Sequence, residues 1–204
     1  MDSLTQIVLG AAVGEAVLGK KVGNKAILWG AVAGTIPDLD VLSKYFVDEV
    51  SALEMHRGFS HSILFGILFA PVFAILVKKQ ERVFLSIFLV AMMSVFFLGQ
   101  EGLIGKGISI TALIGLLFGA YKLKPTREEI TTWDWTKLMF VSLVTHPLLD
   151  AHTAWGTQLF WPLECRIAYK NIFVVDPLYT LPFLAFLILA MIQNRESKKR
   201  RFYN

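Results

Sequence analysis

The sequence predicts an all-α protein, a polytopic membrane helical bundle with about five to seven membrane segments. Its 204 residues are 55% hydrophobic and have a mean hydropathy of +0.57. Charged residues make up 18%, against about 25% in a typical soluble domain. Long apolar runs alternate with short polar breaks, as membrane helices require. We expect one membrane-embedded helical domain over residues 1–194, followed by a basic cytoplasmic tail over 195–204.

Seven membrane segments can be drawn along the chain. In order they are 4–18, 26–37, 61–77, 83–99, 107–121, 137–149 and 177–192. The first two are short and are interrupted by Gly and Ala. They are therefore also consistent with half-length segments that dip into the membrane beside other helices.

The loops between these segments form two sets of unequal basic charge. One set holds most of the basic residues: Lys20, Lys21, Lys25, Lys78, Lys79, Arg82, Lys122, Lys124, Arg127, Lys137, Arg195, Lys198, Lys199, Arg200 and Arg201. The other set holds Lys44, Arg57, Lys106, Arg166 and Lys170. Because cytoplasmic loops carry an excess of Lys and Arg, we assign the first set to the cytoplasm. The amino terminus is then outside and the carboxyl terminus inside.

Under this topology all four histidines lie on the non-cytoplasmic side. Two belong to the stretch THPLLDAHTAWG, in which His146 and Asp150 are spaced i, i+4 and would share one helix face. That spacing can present an imidazole and a carboxylate to one metal ion. Pro147 predicts a kink near His146, and His152 could approach the same cavity if the helix ends there. The alternative is a buried His–Asp pair that ties helices together.

Asp38 and Asp40 follow a proline at the end of an apolar run. Pro37 favours extended geometry at Ile36, so the two carboxylates are expected to converge. Two close carboxylates repel each other unless a proton or a cation lies between them. A solvated loop is the alternative.

The stretch HRGFSHS contributes two more histidines. Ser60 is a suitable N-cap for a helix that begins near His61, and the helix dipole would keep that imidazole neutral and able to ligate. His56 lies at the other end of the stretch. Arg57 is a natural phosphate clamp, or alternatively a partner for the acidic residues of the 48–54 loop.

An aromatic stretch and one cysteine follow. Trp155, Phe160 and Trp161 predict an interfacial segment that anchors the chain at headgroup depth, with substrate recognition as the alternative. Cys165 is the single cysteine and is interpreted as a solvated or core thiol.

The chain resembles the YdjM-like family of membrane-bound metal-dependent hydrolases in three blocks that occur in the same order: PDLD, HRGFSHS and HPLLDAHTAWGTQLFWPL. The opening MDSLTQIVLGAAVGEA is similar to that family's amino-terminal block, so the resemblance covers most of Met1 to Leu163. Gln6 stands where the family typically has a histidine. A glutamine amide oxygen is a weaker ligand for a zinc-like ion.

The same pattern is distantly similar to the zinc-dependent phospholipase C and P1 nuclease group. Those enzymes hold zinc ions with an HxxxD helix and further His and Asp residues, and they cleave phosphoesters. The resemblance implies that His146 and Asp150 are the HxxxD element. It implies that Asp38 or Asp40, together with His61, are counterparts of other ligands, whereas His56 and His152 match less closely.

These observations together predict a metal-dependent hydrolase that cleaves phosphoester bonds of a lipid or lipid-linked substrate in a bacterial or archaeal cell membrane. The expected metal ligands lie near the non-cytoplasmic face: Asp38, Asp40, His56, His61, His146 and Asp150. His152 is the expected general acid or base, and Arg57 is expected to neutralise phosphate charge. Mixed nitrogen and oxygen ligands suit Zn²⁺, with Mn²⁺ or Fe²⁺ as alternatives, in one to three ions. No nucleic-acid partner is expected.

Two other functions compete with this one. A cation or proton transporter would need a polar pathway to the cytoplasmic side, and the inner halves of 61–77, 83–99 and 107–121 contain no matching line of acids or histidines. A non-catalytic membrane regulator or scaffold with a degenerate metal site is the other alternative, and Gln6 favours it.

Overall fold

The computed structural model describes residues 1–48, 51, 56–126, 128–194, 197 and 199–200. Within these ranges it contains six α-helices and no β-strand. The α-helices are α1 (Ser3–Val22), α2 (Asn24–Thr35), α3 (Ile63–Leu98), α4 (Leu103–Lys122), α5 (Thr132–Ala151) and α6 (Pro177–Ile192). Two 3₁₀ helices, Ile36–Tyr45 and Phe59–His61, lie between α2 and α3. The predicted all-α fold is confirmed.

Helix α3 is bent at Gln80, whose backbone is not helical (φ −139°, ψ 48°). The ring of Phe73 stacks on that of Phe84 with centroids 5.6 Å apart, whereas a straight helix would separate these positions by about 16 Å along its axis. The two halves, 63–79 and 81–98, therefore fold back on each other. They correspond to the third and fourth segments predicted from the sequence.

One end of the bundle is held together by polar contacts between basic loops and acidic or polar partners. The paired side chains are Lys21 with Asp134 (2.6 Å), Lys25 with Glu81 (2.7 Å) and Lys25 with Thr126 (2.9 Å). These contacts bring together the end of α1, the start of α2, the bend in α3, the segment after α4 and the start of α5. Asn24 also donates to the carbonyl of Met191, which places the end of α6 there (3.2 Å).

The opposite end contains the 3₁₀ helices and the long connection 152–176. The amide of Asp2 donates to the carbonyl of Val174 (2.8 Å), and the amide of Ile63 donates to that of Leu159 (3.0 Å). The start of α1, the start of α3 and the end of α5 therefore meet at this end. The described loops thus divide between the two ends as the charge pattern predicts.

Helix composition supports insertion in a membrane. Three helical stretches are long and apolar enough to cross one: Asn24–Tyr45, which joins α2 to the first 3₁₀ helix, together with α3 and α4. Helix α6 is a shorter apolar helix. Helix α5 lies inside the bundle, where Trp135, Leu138 and Met139 have no exposed surface. The chain is therefore an integral membrane protein whose central helix is shielded by the others.

The predicted carboxyl-terminal tail, 195–204, lies mostly outside the described residues. Arg200 within it is buried and forms a bidentate ion pair with Glu15 of α1, with both N–O distances 2.6 Å. A side chain at Gly19 would collide with the Glu15 carboxylate. The pair therefore depends on that glycine.

Helices α1 and α2 cross at backbone contact because each carries two glycines spaced i, i+4. A Cβ atom on Gly30 would lie 2.1 Å from the carbonyl oxygen of Gly10, and one on Gly14 would lie 2.1 Å from that of Ala26. A Cβ atom on Gly34 would likewise lie 2.9 Å from the carbonyl oxygen of Gln6. Small residues allow membrane helices this close approach. The crossing fixes Gln6 and Gly34 beside the site.

Gly30→Ala should destabilise the protein, because the new methyl group must push the α1 backbone away. Overpacking of this kind costs about 1–3 kcal/mol, so thermal unfolding in one detergent should occur at a clearly lower temperature. Gly115→Ala in α4 is the matched control, since nothing lies within 4 Å of its Cβ position. Equal melting temperatures for both variants would contradict the close crossing.

Candidate metal centre

Asp38, His61 and His146 meet at the end of the bundle that contains the 3₁₀ helices. The Nε2 atoms of His61 and His146 are 3.1 Å apart. Oδ1 of Asp38 lies 3.5 Å from Nε2 of His61 and 3.4 Å from Nε2 of His146. Tetrahedral ligands bound to zinc at about 2.0–2.1 Å are themselves about 3.3 Å apart. The spacing of these three side chains, hereafter the triad, therefore fits one metal ion.

The ring of His146 is oriented by the backbone of α2. Its Nδ1 lies 2.6 Å from the carbonyl oxygen of Gly34. A carbonyl only accepts, so Nδ1 carries the proton and the lone pair of Nε2 faces Asp38 and His61. Metal-binding histidines commonly make this second hydrogen bond, which fixes tautomer and orientation. Helix α5 continues through Pro147 to Ala151.

The ring of His61 is held from its other nitrogen. Nδ1 lies 3.2 Å from Oδ2 of Asp40 and 3.1 Å from the Ser60 hydroxyl. Burial lowers the pKa of His61, but hydrogen bonds to Asp38 and Asp40 outweigh it and raise the pKa to about 9. A cation at Nε2 would replace a proton there.

The extended geometry predicted at Ile36, and with it the expected convergence of Asp38 and Asp40, is wrong. Residues Ile36–Tyr45 form a 3₁₀ helix, and Ile36 itself is helical (φ −53°, ψ −43°). Proline is well suited to the first turn of a helix because it has no amide proton to satisfy there. In a 3₁₀ helix residues i and i+2 point in different directions. Asp38 therefore faces the Nε2 atoms of His61 and His146, while Asp40 points elsewhere.

Asp40 and His56 lie behind His61 in the structure. Oδ1 of Asp40 lies 2.7 Å from Nδ1 of His56, and Oδ2 accepts from the Ser60 hydroxyl (2.7 Å). Both were predicted as metal ligands, and that role stays a prediction. In the structure Asp40 contacts and orients His61, and His56 contacts and orients Asp40.

The cap of α3 differs from the prediction by two residues. The hydroxyl of Ser62, and not of Ser60, accepts from the amide of Phe65 (3.1 Å). Ser60 lies in the preceding 3₁₀ helix and is free to bind Asp40. His61 consequently precedes the cap and the first turn of α3.

Asp150 contributes a carboxylate to the same site from one turn beyond His146. Its Oδ2 lies 3.6 Å from Nε2 of His61 and 3.7 Å from Nε2 of His146. This oxygen is buried and has no hydrogen-bond partner among the described residues. Oδ1 contacts the α-amino group of Met1. A buried carboxylate oxygen without a hydrogen bond, beside the Nε2 atoms of two imidazoles, is the arrangement that a cation would satisfy.

Gln6 occupies the same neighbourhood. Its Nε2 donates to Oδ1 of Asp150 (3.0 Å) and to the carbonyl of His146 (3.3 Å). Its Oε1 is buried without a partner in the described part of the chain. Gln6 therefore binds the carboxylate of Asp150, through the oxygen that does not face the two histidines.

Arg57 reaches the site from the loop before α3. Its Nε lies 3.6 Å from Oδ2 of Asp150, and its Nη1 donates to the Thr153 hydroxyl (3.2 Å). The side chain is buried, and its backbone is left-handed (φ 63°), which is uncommon outside glycine. The alternative partners in the 48–54 loop lie largely outside the described residues. The observed partner is Asp150.

His152 lies apart from this cluster. Its Nδ1 is 3.0 Å from Oδ1 of Asn171, and its ring packs against Tyr169 with centroids 5.0 Å apart. None of its contacts with described residues joins it to the triad. Its predicted acid–base role stays a prediction.

Sequence reasoning missed the carbonyl of Gly34, because every residue contributes a carbonyl. The glycine pairs Gly10/Gly14 in α1 and Gly30/Gly34 in α2 are the sequence feature that could have indicated it. Their i, i+4 spacing indicates a backbone contact between those helices, which brings Gly34 towards α5.

Comparison with known families identifies the family of the chain. The model of the YdjM inner membrane protein family matches residues 1–202. The chain belongs to this family. No curated protein and no solved structure matches it. Membership in the YdjM family confirms the resemblance of the sequence blocks and the membrane location. The distant likeness to phospholipase C and P1 nuclease stays a prediction.

His61→Ala and His146→Ala should each abolish stoichiometric binding of a divalent metal, because each removes one of two facing imidazoles. The measurement is metal content of purified protein by mass spectrometry. Asp40→Asn should weaken affinity by about 10–100-fold while keeping the site. His152→Ala is the matched histidine control and should retain the metal. Equal loss in all the histidine variants would place the metal elsewhere.

Proposed function

We propose that this YdjM-family protein is a membrane-bound metal-dependent hydrolase that cleaves phosphoester bonds of a lipid or lipid-linked substrate. The carrying observation is the triad, in which two imidazole nitrogens and a carboxylate oxygen face one another at 3.1–3.5 Å. Mixed nitrogen and oxygen ligands suit Zn²⁺ best, with Mn²⁺ or Fe²⁺ as alternatives. Asp150 is the fourth candidate ligand.

The residues of the chain prepare this site before any substrate arrives. A bound divalent ion would supply a water of lowered pKa and would polarise a phosphoryl oxygen. His61 and His146 hold their Nε2 atoms inward because Asp40 and Gly34 hold the opposite nitrogens. Asp38 remains 22% exposed at its side chain, so substrate can approach the triad from its side.

Arg57 is the proposed group for the phosphate. Oδ2 of Asp150 lies between its guanidinium and the imidazole of His61, at 3.6 Å from Nε of Arg57 and 3.6 Å from Nε2 of His61. Arg presents a rigid fork of donors that matches phosphate oxygens. A phosphoester at the triad would bring negative charge to this guanidinium, which is otherwise balanced by Asp150 alone among its described acidic partners.

The surroundings of the site support a lipid or lipid-linked substrate. The connection from α5 to α6 exposes Trp155 (65%), Phe160 (53%) and Trp161 (38%) at the same end of the bundle. Aromatic side chains at the end of membrane helices are typical of the membrane–water interface. A substrate with its phosphoester at headgroup depth would therefore meet the triad without leaving the bilayer.

Purified protein loaded with zinc should hydrolyse a phosphodiester of a lipid, and His146→Ala should lower turnover by at least 10³-fold because the metal is lost. Arg57→Lys should lower turnover while leaving metal content unchanged, since Lys keeps the charge but loses the fork. Turnover that survives chelation would contradict the proposal.

A non-catalytic role for the site is the second candidate. The α-amino group of Met1 and the amide of Gln6 already contact Oδ1 of Asp150, which partly neutralises the carboxylate without a metal. Gln6→His separates the two functions. Higher metal affinity or turnover in this variant favours an enzyme whose site is weakened by glutamine, whereas zinc-independent stability with no turnover favours the structural role.

The end of the bundle that carries the triad is proposed to face away from the cytoplasm, because the basic loops gather at the other end. Cys165 is exposed in the connection at the triad end and is the single cysteine of the chain. A membrane-impermeant maleimide should label it in intact cells once any outer membrane is made permeable. The control is Lys124→Cys in a Cys165→Ser background, which should react only after lysis. The reverse pattern would invert the topology.

A further inference from the structure

A cavity of about 560 Å³ opens beside the triad. It is lined by Asp40, Ser43, Phe59, Ser60, Gln158 and Trp161, among others. Asp40 connects it to the triad, because Oδ2 of Asp40 lies 3.2 Å from Nδ1 of His61. One imidazole ring therefore separates the cavity from the candidate metal position. Its volume is that of a small-molecule site.

The cavity is unsuited to a charged ligand. No Lys or Arg is found among the described residues that line it, so it offers no counter-charge to a phosphate. Its one carboxylate is already used: Oδ1 of Asp40 bonds His56, and Oδ2 bonds the Ser60 hydroxyl. An ammonium headgroup would have to compete with these partners.

Two neutral hydrogen-bonding groups remain available on its walls. The side-chain amide of Gln158 and the hydroxyl of Ser43 form no hydrogen bond with other described residues. An acyl chain in the cavity would cover these groups without pairing them, at a cost of about 1–3 kcal/mol for each. A ligand with hydroxyl groups would pair them instead, because an amide both donates and accepts.

Aromatic rings form the other wall. Phe59 and Trp161 lie edge to face with ring centroids 4.9 Å apart. Such rings offer flat apolar surface against which the C–H face of a polyol or a sugar ring packs. The indole N–H of Trp161 adds one more donor.

We propose that this cavity binds a neutral, hydroxyl-bearing group of the substrate, a glycerol or a sugar unit esterified to the phosphate. The inference rests on the proposed function, since it assigns the phosphate to the triad and Arg57 and the hydroxyl-bearing group to the cavity. Gln158 and Ser43 bind its hydroxyls, and Trp161 and Phe59 pack against its carbon face. Selectivity among phosphoesters then comes from hydroxyl groups rather than from headgroup charge.

The test is a binding titration of the full chain in phosphatidylcholine nanodiscs, which avoids detergents that carry a sugar. Three anionic probes are compared: dihexanoyl phosphatidylglycerol, octyl glucosyl phosphate, and dihexanoyl phosphatidylethanol as the probe without free hydroxyls. EDTA is present so that metal-dependent turnover does not consume the ligand. At least one hydroxyl-bearing probe should bind ten or more times tighter than phosphatidylethanol, and the tighter of the two identifies the source as glycerol or sugar.

Gln158→Ala and Ser43→Ala should each reduce this preference by at least threefold without lowering the melting temperature. Trp155→Ala and Phe160→Ala, exposed in the same connection but outside the cavity lining, should keep it. Equal binding of all three probes to the wild type, or an unchanged preference in Gln158→Ala, would overturn the assignment.

The outcome is separable from that of the proposed function. A hydroxyl preference without turnover on added zinc would leave the cavity assignment standing and reject the hydrolase. Turnover without any preference would do the opposite.

Discussion

The candidate site depends on the backbone contact between α1 and α2. Gly10, Gly14 and Gly30 remove the side chains that would otherwise separate these helices. The resulting approach places the carbonyl of Gly34 where it can accept from His146, and it places Gln6 against Asp150. Without this contact the central helix α5 would have no fixed partner for its imidazole. The glycines therefore position the side chains of the site, although none of them is a candidate ligand.

The site is organised in two layers around a small buried space. The inner layer consists of the triad and Oδ2 of Asp150, which together offer two nitrogen and two oxygen atoms. The outer layer consists of Gly34 and Asp40, each of which holds the second nitrogen of one histidine. Fixed rings lose little freedom when a metal binds, so this order favours tight binding. Asp40, in this outer layer, also lines the cavity proposed for the hydroxyl-bearing group.

Much of the fold was predictable because membrane helices require long apolar runs. Helices α4 and α6 and the two halves of α3 coincide closely with such runs. The roles within the site were less predictable. A 3₁₀ helix begins at Ile36, where the effect of Pro37 on the preceding residue suggested an extended segment, and this helix turns Asp40 away from Asp38. His61 has two nitrogens that can ligate, and sequence cannot tell which one faces a metal and which one faces a supporting carboxylate. His152 lies two residues beyond a ligand candidate, but the end of α5 directs it to Asn171.

The central claim is that His61, His146 and a carboxylate hold one metal ion. X-ray absorption at the zinc edge, on the purified full chain loaded with one equivalent, tests it most directly. The account predicts two imidazole nitrogens at about 2.0–2.1 Å with oxygen ligands completing the shell, and a single imidazole in any zinc that His61→Ala retains. A shell without imidazole, or an unchanged shell in that variant, would contradict the account.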